Sequence, residues 1–232
     1  ITEISEGTIK NYDLFVDLDC GRNAKGDLHF QNKEGIKIRI PTAVYLIDSH
    51  NHNNATLHRR LAKRYQFVFF AVYDKRDLFV NHPSAHFCPN ASDIKWFNYK
   101  NHMDVYKVSK FDLGFFGSKH GLNRADILKE ISRETGLTID IREVGRAWKV
   151  RWPRTAEAMC NCEILFNRGQ KHDINQRIFE SALCNRPLIT DFDKRSGIKD
   201  LFKPYKHFLP YISEWGNEKE QIIENINWCF NH

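Results

Sequence analysis

The side chains with the most chemical potential lie between Cys162 and Asp193, in CEILFNRGQKHDINQRIFESALCNRPLITDFD. Asn167, Arg168 and Lys171 fall in a polar stretch, and Asn175, Arg177 and Glu180 follow it. A guanidinium matches a phosphate, and a carboxylate matches a pair of sugar hydroxyls, so the pattern suits a ligand carrying both. A second group is Gly117–Ser118, followed by Lys119, His120, Gly121 and Arg124. A Gly-Ser turn between a strand and a helix offers backbone N–H groups to an anion. A third is Asp48-Ser49-His50, with His52 behind it, where a carboxylate and an imidazole could take a proton from a hydroxyl.

Each group needs an element to aim it. The central stretch reads as a strand (163–166), a polar loop (167–173), an amphipathic helix (about 174–184) and a buried strand (188–190). Ile174, Ile178, Phe179, Ala182 and Leu183 recur at helical spacing and predict the face laid on a sheet, with Asp173 as N-cap. In an open α/β sheet ligands bind outside the carboxyl ends of the strands, beside helix N-termini, where Asn175, Arg177 and Glu180 would sit. Apolar runs at 13–19, 42–47, 67–72 and 85–88 predict strands in the first half, with an edge strand at 36–40. Runs at 111–116 and 138–141 predict two more, and helices are expected near 57–65, 122–134, 155–160, 196–202 and 214–230. This alternation predicts parallel sheets joined by crossover helices. Trp96 to Lys110 is polar, aromatic and aperiodic and reads as a linker. It divides the chain into domains 1–108 and 109–232.

Composition bounds the answer. The hydrophobic fraction is 41% of 232 residues, which supports a packed core and excludes a disordered chain. No apolar run is long enough to predict a membrane span, and no secretory signal is visible. The net charge of +6 fits a polyanionic partner such as a nucleotide-sugar or a nucleic acid. The cysteines at 20, 88, 160, 162, 184 and 229 are scattered in mainly apolar context, which predicts reduced thiols and a cytoplasmic protein. Cys160-x-Cys162 lacks a second Cys/His pair at zinc spacing, so no metal site is expected.

The segment N-Q-R-I-F-E-S-A-L-C-N-R-P-L-I-T-D resembles the donor-binding segment of GT-B glycosyltransferases, in particular the CgeB-like, YkvP-type branch of the glycosyltransferase group 1 superfamily. The family has Gly where this chain has Asn185, and Asn is the next best residue at a left-handed helix end. Pro41 to His50, Val68 to Ala71 and Cys88 to Asp93 resemble the branch's first-half motifs, and Gly117–Ser118 with Arg124 its second-half turn. The resemblance covers most of residues 36–230. It implies two Rossmann-type parallel-sheet domains with a cleft between them, an acceptor-side first domain (shortened here) and a nucleotide-sugar-binding second.

The implied activity is transfer of a sugar from a nucleotide-sugar, UDP-sugar first, to an acceptor hydroxyl, without a metal or other cofactor. Gly117, Ser118, Arg124, Asn167, Arg168, Lys171, Asn175, Arg177 and Glu180 are the expected donor contacts, with Glu180 on the ribose and Asp48 and His50 on the acceptor side. Many retaining relatives carry two Glu with seven residues between them; the first would fall at His172, so the stereochemical outcome stays open. The acceptor also stays open between glycan, protein and DNA. Two alternatives stand beside this reading. One is a phage-type enzyme glycosylating a hydroxymethylated DNA base. The other is a non-catalytic binder of nucleotide-sugar or nucleic acid with a degenerate acceptor domain.

Overall fold

A computed structural model of the chain describes residues 15–19, 41–47, 55–56, 58–59, 62–63, 65–117, 125–143, 152–169 and 172–232. The chain forms two compact units, Ile1–Pro89 with Lys171–Asp173, and Asn90–Gln170 with Ile174–His232.

The first unit carries a parallel sheet in the order β1 (Phe15–Asp19), β2 (Thr42–Leu46), β3 (Phe67–Phe70), β4 (Ala85–Phe87). Ala43, Val44 and Leu46 are buried almost in succession, as expected of a strand covered on both faces. Val44, Leu46, Ala62, Val68, Phe70 and Phe79 form the core. Phe79 closes a 3₁₀ stretch, Tyr73–Phe79, and stacks on Phe70 with ring centroids 5.1 Å apart. The expected edge strand at 36–40 lies outside the described residues.

The second unit holds a five-stranded parallel sheet. Its strands are β5 (Phe111–Gly117), β6 (Ile139–Glu143), β7 (Cys162–Asn167), β8 (Leu188–Asp191) and β9 (Leu209–Tyr211). They lie in the order β6-β5-β7-β8-β9. The crossovers are α1 (Asp126–Thr135), α2 (Trp152–Cys160), α3 (Gln176–Leu183) and α4 (Ile198–Leu201), and α5 (Glu218–Asn231) closes the chain. From β5 the chain moves outward to β6, and from β7 it moves the other way to β8. The reversal makes the carboxyl ends of β5 and β7 a topological switch point, the position at which open α/β sheets bind ligands. The register aligns Phe115 with Phe166, so Gly117 and Asn167 both stand at that end. Leu128 and Ile131 of α1 and Ile222 and Ile226 of α5 are buried at helical spacing in one core with Leu113, Phe115, Ile164 and Ile189. Gly114 keeps the two central strands close: a Cβ there would lie 2.6 Å from Cys162 Sγ.

The stretch expected to be a linker is ordered and packs on this unit. It forms helical turns at Ile94–Phe97, Tyr99–His102 and Met103–Tyr106. Arg186 fixes it there. Its Nη2 donates to the carbonyls of Tyr106 (2.7 Å) and Cys160 (2.6 Å) and to Ser109 Oγ (2.6 Å), and its guanidinium lies 3.9 Å from the Tyr106 ring centroid. The Tyr106 hydroxyl donates to the Asn185 carbonyl, and Asn185 sits at φ 52°, the left-handed position expected of it. The first unit therefore ends at Pro89 rather than near 108. Cys160, Cys162 and Cys184 are buried beside Arg186 and α3, and burial pushes the Cys162 thiol up to about 12.

Replacing Arg186 with Ala leaves the Tyr106 and Cys160 carbonyls without this donor and is expected to cost about 3 kcal/mol, the range for breaking a largely buried charged network. Urea unfolding of the variant measures it; a loss within about 0.5 kcal/mol, as for an ordinary surface change, contradicts the clamp.

Candidate functional site

The switch-point end of the second sheet is organised by a chain of hydrogen bonds. Asn167, the last residue of β7, is 3% exposed. Its Nδ2 donates to Thr190 Oγ1 at 2.9 Å, and its Oδ1 accepts from Asn175 Nδ2 at 2.9 Å. Asn175 Oδ1 in turn accepts from the Arg177 N–H at 3.0 Å, which caps α3. On the other side the Thr190 hydroxyl donates to Asp191 Oδ1 (3.2 Å), which also accepts from the Gly169 N–H (2.7 Å). The end of β8, the end of β7, the loop after it and the first turn of α3 are thus one connected polar unit. Asn175 rather than Asp173 is the cap, so the helix begins two residues later than the spacing predicts.

Arg177 and Glu180 form an ion pair within α3. Their face of the helix is not the open one. Arg177 Nη1 reaches Met159 Sδ at 3.6 Å and Cys184 Sγ reaches the Ala156 carbonyl, so the face packs on α2. Ala182, expected inside, is exposed. The Glu180 side chain is 0% exposed and that of Arg177 is 14% exposed. Arg177 is the partner of Oε2, and Oε1 of Glu180 has no hydrogen bond among the described residues. Burial pushes the Glu180 carboxyl up from its ordinary value, and Arg177 only partly offsets it. A buried carboxylate oxygen lacking a hydrogen bond is costly to keep.

The loop after β7 is held by a second acid. Arg168 pairs with Glu218, the first residue of α5, at 3.4 Å. Burial raises the Glu218 carboxyl, opposed by Arg168 and helped by the charge of Asp191; burial also raises Asp191, opposed by the Gly169 N–H and the Thr190 hydroxyl. Glu218 Oε1 is buried without a hydrogen bond. Tyr211 of β9 closes the group, its hydroxyl donating to the Asn167 carbonyl at 3.3 Å.

Among the expected site residues, Gly117, Asn167, Arg168, Asn175, Arg177 and Glu180 belong to this one end of one sheet. The amide groups of Asn167 and Asn175 are engaged internally, and Arg168 faces a carboxylate. Asp48, His50, Ser118, Arg124 and Lys171 lie outside the described residues, as do His52 and His120. Thr190, Asp191, Tyr211 and Glu218 were not singled out from sequence. The signal available for the first two was a Thr-Asp pair ending an apolar strand level with Asn167. Among the described residues no cluster of three His, Cys, Asp or Glu side chains is placed to hold a metal ion, and no helix is long and apolar enough to cross a membrane.

Residues 119–228, which lie mostly in the second unit, match the family described as Glycosyl transferase-like. The chain is similar in fold to HepE of Anabaena, solved in complex with UDP-glucose, at 15% identity and a TM-score of 0.53 over 83% of this chain and 63% of that one. It is similar to the GtfA/B complex at 13% identity and a TM-score of 0.50, over 83% of this chain and 46% of that one. The chain thus spans less than two thirds of the length of either. No curated protein matches. The class is an α/β fold of the GT-B kind.

Two outcomes test this site. Thr190→Val, which removes the hydroxyl and keeps the shape, strands Asn167 Nδ2 and is expected to cost about 1–3 kcal/mol. Thr190→Ser retains most of that stability, and equal losses in chemical denaturation would refute the hydrogen-bond chain. The second concerns pH. A carboxyl raised in the folded state contributes stability below its unfolded value (about 4.3 for Glu) and loses it as pH rises through the folded value. Glu218→Gln removes that loss, so its stability relative to wild type rises between pH 4 and pH 7.5. Denaturation at both pH values checks the sign.

Proposed function

We propose that the chain is a nucleotide-sugar-dependent glycosyltransferase of the CgeB-like branch, moving a hexosyl group from a UDP-sugar to an acceptor hydroxyl. The observation that carries this reading is the family match over 119–228, which falls on the unit with the switch point. Glu180 is the expected ribose contact, its Oε1 being free to accept from a sugar hydroxyl once α2 moves off this face of α3. Arg177 beside it is the phosphate-side cation, and Gly117 with Ser118, Arg124 and Lys171 completes the donor contacts. Asn167, Asn175 and Arg168 hold the loop and helix in position.

The reaction breaks the bond between the anomeric carbon and the diphosphate oxygen and forms a bond from that carbon to the acceptor oxygen. The acceptor proton passes to Asp48 or His50, and the nucleoside diphosphate leaves with its new charge balanced by arginine, lysine and backbone N–H groups. HepE, solved with UDP-glucose, makes a UDP-sugar the first donor to try.

The test separates binding from folding. Arg177→Met alone breaks a buried pair and is expected to cost about 3 kcal/mol, while Arg177→Met with Glu180→Leu restores stability to near wild type. Calorimetry against UDP-, GDP-, dTDP- and ADP-sugars is expected to give saturable binding of one donor by wild type. The stable double variant is expected to bind at least tenfold more weakly. No binding of any nucleotide-sugar by wild type overturns the donor site, and equal binding by the double variant removes Arg177 and Glu180 from it. With a donor identified, Asp48→Asn or His50→Ala is expected to lower turnover about 100-fold or more at unchanged donor affinity.

A further inference from the structure

The other end of the second sheet carries an unexplained feature. Between α4 and β9 the chain makes a tight turn, closed by the Pro204–Phe208 bridge and by Tyr205 N–H to the Phe208 carbonyl at 2.8 Å. The His207 N–H donates to the Lys203 carbonyl (2.9 Å), and the Lys203 N–H donates back to His207 Nδ1 (3.1 Å). Beneath it Phe202 packs on Phe179 and Phe208 stacks on Phe192, so the turn stands on a fixed aromatic base.

At its tip is Tyr205, with φ 59° and 70% of its surface exposed. A left-handed backbone disfavours a bulky side chain, and Gly or Asn fills such positions without that strain. This chain uses Gly136, Gly197, Gly216 and Asn185 in that way. Tyr205 gains no burial in return. Its surroundings are cationic. Lys199, Lys203 and Lys206 are exposed and have no ion pair among the described residues. No acid occurs between Leu201 and Ser213; Asp200 precedes the stretch, and Glu214 after it pairs with Arg195.

We propose that this turn is a contact site for single-stranded nucleic acid, with a base stacked on the Tyr205 ring and backbone phosphates on Lys199, Lys203 and Lys206. Exposed aromatic rings among lysines bind single strands in this way, because every base has a π face and every linkage a charge. The single tip ring favours a base over a bilayer, since interfacial membrane binding draws on a broad apolar helix face. The site lies at the amino ends of the strands, away from the switch point, and is independent of the donor reading.

The experiment is fluorescence anisotropy of a labelled 20-nucleotide oligo-dT with the full chain in 50 and 200 mM salt. Wild type is expected to bind, and to bind more weakly at the higher salt. Tyr205→Asn, which suits the left-handed backbone and removes the ring, is expected to weaken binding about tenfold, while Tyr205→Trp retains it. Lys203→Glu with Lys206→Glu is expected to abolish it. All three substituted side chains are exposed, and circular dichroism confirms that each variant is folded. The proposal is overturned if wild type does not bind, if Tyr205→Asn binds like wild type, or if phosphatidylserine vesicles compete for the same residues while oligo-dT does not bind.

Discussion

The side-chain amide of Asn167 is the joint on which the second unit turns. A strand, a loop and a helix meet at the switch point, and each brings polar groups that need partners there. One amide serves two of them at once, giving its N–H to the Thr190 hydroxyl at the end of β8 and its oxygen to the side chain of Asn175, which caps α3. The cap then fixes the rotation of α3 about its axis. That rotation decides that Arg177 and Glu180 look toward α2 and not toward solvent. A longer or shorter polar side chain at position 167 would turn the helix, and the charged pair would move with it.

Three acids are kept largely out of water near this joint, and each is raised by burial. Such an arrangement is expensive relative to an apolar packing of the same shape. Proteins retain costs of this kind where a site must stay ready for something that arrives later. Two of the acids, Asp191 and Glu218, hold the loop after β7 from behind, one through the Gly169 N–H and one through Arg168. The third, Glu180, is paired with Arg177 through one oxygen and keeps the other without a hydrogen bond among the described residues. The division gives the loop a fixed shape and leaves the unmet bonding capacity on the helix.

Most of the fold was legible in the sequence, because parallel strands covered on both faces write themselves as short apolar runs. TAVYL, FVFF, FDLGFF and EILF all fall within observed strands. The left-handed Asn185 was legible for the same reason, since few residues tolerate that backbone. The segment 96–110 was not. Its packing depends on Arg186, which lies far along the chain, and no periodicity within the segment reports it. The orientation of α3 was misread because a helical wheel places Arg and Glu outside by default. Here the pair neutralises itself and is buried, while Ala182 is outside. Thr190 and Asp191 were passed over because a strand end was read for its apolar content alone.

The cysteines carry a consequence for how the two units can be watched. Cys160, Cys162 and Cys184 sit in the second unit behind α3, with the thiols of Cys162 and Cys184 pushed toward the unreactive protonated form. Cys88 is exposed and belongs to the first unit. Among the described cysteines a thiol reagent therefore meets the exposed Cys88 and then the half-buried Cys229, while the three behind α3 wait until the wall between α2 and α3 opens. The unmodified chain thus contains its own clock for breathing of the second unit, readable by mass, without a label being engineered into the joint that the clock would report on.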